Sequence, residues 1–321
     1  MNGRQFINDC SYFYLKNSIK HLIVIEGPTA SGKTTISVAL AKHYNTCVLS
    51  ADSRQFYREL SIGTAKPSST EQNGVKHYFI NSHSIKDEVS SAQYEKEAMS
   101  VLKEEFKTND IIIVTGGSGM FIDALCIGLD DIPSSDELRS AINKEYKENG
   151  LAPLLDELKT NDATYFSEID RNNPMRVIRA IEVIRLTGKP YSMQRGMLVK
   201  KRPFTIHRFV IHHDREKLYA RINTRVDKMM AKGLLQEVKS VLESRELASL
   251  KTVGYKELFN YLDGNCSLEE AVAAIKQNTR RYSKRQLTWF RRHPEAIWID
   301  YQNDSQLVRF IIEHLRSIAV V

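Results

Sequence analysis

The stretch HLIVIEGPTASGKTT, His21 to Thr35, sets a strand-length apolar run directly against a glycine loop and a helix-forming segment. Gly27-x-x-x-x-Gly32-Lys33-Thr34 satisfies the P-loop pattern in full, and it stands between strand and helix as that pattern requires. Its glycines let backbone N–H groups turn inward on phosphate oxygens, and the helix N-terminus adds a favourable dipole. Lys33 provides a point charge for the terminal phosphate, and the Thr34 hydroxyl can ligate Mg²⁺. The expected phosphate cradle is therefore Gly27, Pro28, Thr29, Ala30, Ser31, Gly32, Lys33, Thr34 and Thr35. The loop alone does not say which phosphates it holds.

Outward from the loop, CVLS ends a second short strand at Ala51-Asp52, and Ser90-x-x-Gln93 resembles a capping box opening a helix through about Phe106. IIIVTGG, Ile111 to Gly117, reads as a fully buried strand closed by a glycine turn. This alternation predicts an α/β fold, a P-loop-type doubly wound parallel sheet with ligands beyond the carboxyl ends of its strands. After Pro133 the chain turns polar and helical, with amphipathic runs such as ELRSAINKEYK and MRVIRAIEVIRLTG. Strand character returns at FTIHRFVIHH and AIWID. The expected organisation is an N-terminal extension over 1–20, a core over 21–132 and 201–321, and a helical insertion domain over 133–200.

With 42% hydrophobic and 26% charged residues, the composition is that of a soluble globule. No run approaches the roughly 20 apolar residues that cross a bilayer, and the N-terminus lacks a signal peptide's apolar centre. Cys10, Cys47, Cys126 and Cys266 form no CxxC pair, which argues against a zinc site or a disulfide framework and fits a reducing cytoplasm. The net charge of +7 is concentrated: KQNTRRYSKRQLTWFRR, Lys276 to Arg292, holds seven basic residues and no acid, the footprint of a polyanion partner. Ser267-x-x-Glu270 is a capping box for a helix through this segment, with Val272, Ile275, Tyr282 and Trp289 on its apolar face. Lys276, Arg280 and Lys284 line another face, with Arg281 and Arg285 adjacent. Tyr282 and Trp289 read as core residues rather than base-stacking platforms.

Asp52, at a strand end beside the loop, fits two roles by position, a proton acceptor or a helix N-cap. The polar loop SIGTAKP, Ser61 to Pro67, can face the same cleft. An ordinary P-loop NTPase would present an acid at the end of a later apolar strand, but IIIV runs into Thr115-Gly116-Gly117. A small-metabolite or nucleoside kinase is weakened by this and stays open. So does a non-catalytic RNA binder with a vestigial loop.

GPTASGKT, ADSRQFYRELSIGTAKP, GGSGMFIDAL, NNPMRVIRAIEVIRLTGK, TVGYKE and KRQLTWFRR occur here in that order. In this the chain resembles the tRNA dimethylallyltransferases, also called tRNA isopentenyltransferases, from about His21 to Asp300. The resemblance implies transfer of a dimethylallyl group from dimethylallyl diphosphate to N6 of adenosine-37 in tRNA, with Mg²⁺ as cofactor. The loop would then hold a leaving group, with adenine nucleotides as possible competitors for it. It implies catalytic roles for Asp52 as general base, for Thr34, and for Arg225 on the diphosphate. It implies tRNA contacts at Asp52, Ser53, Arg54, Gln55, Ser118 (where relatives commonly have threonine) and Arg139. Further contacts would come from Met175, Arg176, Val177, Ile178 and Arg179, and from Lys251, Thr252, Val253, Gly254, Tyr255 and Lys256. Arg280, Lys284, Arg285, Gln286, Trp289 and Arg291 complete the set. Many relatives have glutamine where this chain has Met175. The C-terminal zinc finger frequent in eukaryotic relatives does not appear in the sequence, so a bacterial-type, cytoplasmic, monomeric enzyme is expected.

Overall fold

The computed structural model describes residues 19–196, 200–318 and 320. The expected N-terminal extension lies outside the described residues except for its last two, and Cys10 lies outside them altogether. The chain divides into two compact units, one formed by Met1–Cys126 with Arg202–Val321 and the other by Ile127–Lys201.

In chain order the first unit begins with β1 (His21–Glu26), α1 (Lys33–His43), β2 (Val48–Ser50), α2 (Ser69–Gln72) and β3 (His77–Tyr78). It continues with α3 (Ser91–Glu105), β4 (Ile111–Gly116) and α4 (Gly119–Cys126). The second unit holds α5 (Asp136–Asn149), α6 (Ala152–Asn161), α7 (Ala163–Glu168) and α8 (Pro174–Thr187). The first unit resumes with β5 (Thr205–His212), α9 (Arg215–Ala231), α10 (Leu234–Ser240), α11 (Tyr255–Leu262), α12 (Leu268–Phe290), β6 (Ile297–Asp300) and α13 (Asp304–Ser317).

Six strands form one sheet in the order β3-β2-β4-β1-β5-β6, every neighbouring pair parallel. A parallel sheet needs cover on both faces, so its strands are apolar at successive positions rather than at alternate ones. Ile23 and Ile25 join Ile36 and Leu40 of α1 and Leu307, Ile311 and Leu315 of α13 in one core. Leu22 and Val24, pointing the other way, are equally buried. A further core gathers α9 to α12 around Leu234, Leu258 and Tyr255, reaching Tyr57 and Leu60. Because all strands run the same way, the P-loop, the segment after β2 and the glycine turn after β4 meet at one rim.

The termini of the helices follow their sequence signals. Ser267 and Glu270 form a complete capping box at α12. At α3 only half of one forms, since Ser90 accepts from the Gln93 N–H while the Gln93 side chain turns to Glu97 at 2.9 Å. The second unit packs α5, α6 and α8 around Ile142, Leu154, Leu158, Val177, Ile178 and Ile181.

Candidate functional site

The phosphate loop is held from outside by three distant side chains. Arg221 of α9 donates to the Ala30 carbonyl at 2.7 Å, and the His213 ring lies 2.8 Å from the Ser31 carbonyl. A carbonyl only accepts, so the His213 Nε2 carries the proton there. Gln286 of α12 accepts the Thr29 N–H at 2.9 Å. Lys33, at the start of α1, reaches back to the Gly27 and Pro28 carbonyls at 2.9 and 2.8 Å. Burial lowers its pKa to about 7, with Arg225 pushing the same way and Asp52 opposing. A lysine so placed is neutralised easily and gains from an incoming anion.

Beyond β2, Asp52 accepts the Arg54 N–H at 3.0 Å on one carboxylate oxygen, and residues 53–56 form turns. It therefore caps no helix, and its carboxylate is close enough to the loop to act electrostatically on Lys33. The block is anchored from below by Phe56, fully buried and stacked on Tyr94 at 5.5 Å between centroids. Ser118 accepts the Ser53 N–H at 3.0 Å and donates to the Ser53 hydroxyl at 3.1 Å. Gln55 approaches the Thr64 and Ala65 carbonyls at 3.5 Å. Arg54 donates to the Ser249 carbonyl at 3.0 Å.

Arg225, on α9 one turn beyond Arg221, donates to the Thr64 carbonyl at 3.4 Å. Burial lowers its pKa, opposed by the charges of Asp52 and Glu71. Lys33, Asp52 and Arg225 thus share one electrostatic environment, two cations facing one carboxylate. The segment carrying Thr64 is itself suspended from a single carboxylate: Glu237 of α10 accepts from the N–H groups of Ser61, Ile62 and Gly63 at 2.8, 2.7 and 2.8 Å. The Tyr255 hydroxyl also donates to it at 2.7 Å.

The expected nucleic-acid residues divide by exposure. Lys251, Lys256, Lys284, Arg285 and Arg291 present exposed side chains, with Thr252 and Val253 half-buried and Gly254 buried. Tyr255 is fully buried on Glu237. In the second unit Met175 and Arg176 are exposed on the first turn of α8, while Val177 and Ile178 are core residues. Arg139 and Arg179 pair with fully buried Glu182 at 3.0 and 3.1 Å, so both help to organise that unit's interior. The basic face of α12 is shorter than its spacing predicts. Lys276 pairs with Asp227 at 2.6 Å and Arg280 bonds Asn223 at 2.7 Å, both on α9, leaving Arg281, Lys284 and Arg285 outward.

Two expectations need correction. Gln286 is buried, and its amide is taken at both ends by main chain, Thr29 N–H on one side and the Gly117 carbonyl at 2.8 Å on the other. Tyr282, read as a core residue, has its hydroxyl beside the site. Burial pushes its pKa up to about 12, the Asp52 carboxylate adds to the rise, and a hydrogen bond with Ser118 opposes it. Trp289 is half-buried and donates its indole N–H to Asp123 at 2.7 Å.

A metal would find few donors here. Among the described residues no group of three His, Cys, Asp or Glu side chains could hold one. Thr34, half-buried in the first turn of α1, offers a single hydroxyl. That suits Mg²⁺, which is commonly held by one or two protein oxygens together with substrate phosphates and water. Also among the described residues, no helix is long and apolar enough to cross a membrane.

Known proteins resemble this chain along most of its length. The family model described as IPP transferase matches residues 55–293. The chain is 46% identical over 302 residues to tRNA dimethylallyltransferase 1 of Bacteroides thetaiotaomicron, covering 92% of this chain and 98% of that protein. Among solved structures it is similar to the full-length tRNA isopentenylpyrophosphate transferase of Bacillus halodurans, with a TM-score of 0.67, 36% identity and coverage of 93% and 97%. It is also similar to a eukaryotic dimethylallyltransferase acting on tRNA, with a TM-score of 0.74, 26% identity and coverage of 89% and 75%. These relatives are named for prenyl transfer, and nothing in the comparison favours a kinase.

Proposed function

The chain belongs to the IPP transferase family of tRNA dimethylallyltransferases, and on that premise we propose that it moves a dimethylallyl group from dimethylallyl diphosphate to N6 of adenosine-37 in tRNA. The observation that carries this reading is the grouping of Lys33, Asp52 and Arg225 at one rim, two desolvated cations beside a phosphate loop and one carboxylate.

The diphosphate lies in the cradle from Gly27 to Thr35. As the allylic C–O bond breaks, negative charge grows on the departing diphosphate, and the loop amides, Lys33 and Arg225 neutralise it. Thr34 would hold Mg²⁺, which when bound supplies further positive charge at the leaving oxygens. The adenine amino nitrogen forms the new N–C bond, and its proton passes to the Asp52 carboxylate. The products are N6-(dimethylallyl)adenosine and diphosphate. The hydrogen bond from the Arg54 N–H fixes one Asp52 oxygen and leaves the other for the base.

Adenosine-37 has to leave its stack to reach Asp52, at a cost of a few kcal/mol. Phosphate contacts by Lys251, Lys256, Lys284, Arg285 and Arg291 offset that cost. In the second unit Arg176 offers a further phosphate contact and Met175 an apolar one. Ser53, Arg54, Gln55 and Ser118 form the wall that receives the nucleotide. The protein works in the cytoplasm, as a monomer.

The test is incubation with an unmodified anticodon stem-loop, dimethylallyl diphosphate and Mg²⁺, read by mass spectrometry. One five-carbon adduct on a single adenosine is expected. Folded protein that gives no adduct with any of several tRNAs bearing A36-A37-A38 sinks the assignment, and ATP-dependent phosphorylation of a small molecule would replace it.

A further inference from the structure

Helix α12 has two faces with different partners. Outward it presents Arg281, Lys284 and Arg285. Inward it presents Gln286, the residue directly after Arg285, which is 6% exposed. The Gln286 amide joins two parts of the catalytic rim that are remote in sequence. Its oxygen accepts the Thr29 N–H in the phosphate loop at 2.9 Å, and its nitrogen donates to the Gly117 carbonyl at 2.8 Å.

The fit leaves no slack. A Cβ on Gly117 would stand 2.3 Å from the Gln286 amide nitrogen, and one on Gly119 would stand 2.2 Å from the Trp289 ring. These glycines are what allow α12 to approach the end of β4 so closely. Ser118, between them, holds the Ser53 N–H beside Asp52. A shift of α12 therefore bears on the phosphate loop directly, through Thr29, and on the Asp52 segment one step removed, through Gly117 and its neighbour Ser118.

We propose that Gln286 is a positioning residue that couples the two substrates. RNA held by Lys284 and Arg285 and diphosphate held by the loop favour the same setting of α12, so each binds more tightly in the presence of the other. Gln286 does this without touching the RNA, because its side chain is buried beneath the helix face that carries Lys284 and Arg285. The coupling is reciprocal by thermodynamic necessity. It rests on the prenyl-transfer reading of the site.

The test measures the dissociation constant of an unreactive thio-analogue of dimethylallyl diphosphate, with and without saturating anticodon stem-loop RNA, on the full chain. In the unaltered protein RNA is expected to tighten analogue binding about tenfold. Gln286→Met removes both hydrogen bonds and should bring that ratio close to one. Gln286→Glu keeps an acceptor for the Thr29 N–H but loses the donor to Gly117, and should give an intermediate ratio. The charge it adds weakens the analogue equally with and without RNA, so the ratio separates coupling from simple repulsion. In both variants RNA affinity without the analogue should stay within about twofold.

A ratio of one in the unaltered protein, or an unchanged ratio in the variants, overturns the proposal. A large loss of RNA affinity in the absence of analogue overturns it as well, by making Gln286 a contact residue. Should Gln286→Met fail to fold, Gln286→Glu decides alone. Unaltered protein that transfers no prenyl group would instead sink the functional reading, whereas intact transfer without coupling removes only this inference.

Discussion

Two groups of charges lie close together in the first unit, and they are built on opposite terms. Around the end of β1, Arg208 bonds Glu26 at 3.0 and 2.5 Å and Asp123 at 3.0 Å. Asp123 in turn meets His293 at 2.9 Å and the Trp289 indole. Glu26 and Arg208 are almost fully buried. One Glu26 oxygen and one Arg208 nitrogen make no hydrogen bond, but that nitrogen stands 3.7 Å from Glu295, so both charges are still met by opposite ones. At the rim, Lys33 has only carbonyls and Arg225 one carbonyl at 3.4 Å. The closed group answers burial with internal partners. The open group leaves its cations underpaid in electrostatic terms, which is the condition for receiving a diphosphate.

The sharpest way to break this contrast is Asp52→Asn. Transfer should fall about 10²- to 10⁴-fold, the range of a lost general base, with RNA affinity kept. A variant that retains most of its turnover would remove Asp52 from that role. Arg208→Met tests the closed group and should lower unfolding stability by about 3–5 kcal/mol in urea titrations, since it strands a buried carboxylate. Burial already raises the Glu26 pKa to about 6, above the unfolded value. A raised pKa means that the folded state loses relative stability as pH rises through that range, so the deficit of this variant should be smaller at pH 5 than at pH 8. An equal deficit at both would point to lost packing instead.

Lys33→Met should do the reverse of Arg208→Met. Diphosphate affinity should drop by about thirtyfold or more, with an unfolding midpoint no lower than that of the unaltered protein. A large loss of stability would show that the lysine is a structural member like Arg208. The smallest effect is one of pH. With the Lys33 pKa near 7, its charge is lost as pH rises through neutrality. Affinity for the diphosphate should therefore fall about fivefold from pH 7 to pH 8, with proton uptake on binding visible by calorimetry in buffers of different ionisation enthalpy. Binding without proton exchange, after allowance for the ligand's own ionisation, would refute the lowered value.

The sheet was legible because strands buried on both faces are written as unbroken apolar runs. HLIVIE coincides with β1, and IIIVTG with β4. The two-residue β3 was invisible, because its place depends on pairing with β2 rather than on any pattern of its own. Lys33 and Thr34 followed from a fixed spacing, and Asp52 from its position at a strand end. The place of Gln286 in the rim was not legible, because its partners are main-chain groups, which leave no mark in composition or periodicity. The same blindness affected Lys276 and Arg280, whose spacing is right for a basic face while Asp227 and Asn223 of another helix had already claimed them. Arg221 could have been found: it stands four residues before Arg225 in ARINTR, and that interval puts both on one side of α9.

Glu237 looks, from sequence, like any acid on a short surface helix. Yet the SIGT turn that receives Arg225 and Gln55 hangs from it, 175 residues from Ile62. A lesion there would present in a genetic screen as loss of activity mapping far outside every recognisable motif, with the phosphate loop itself intact.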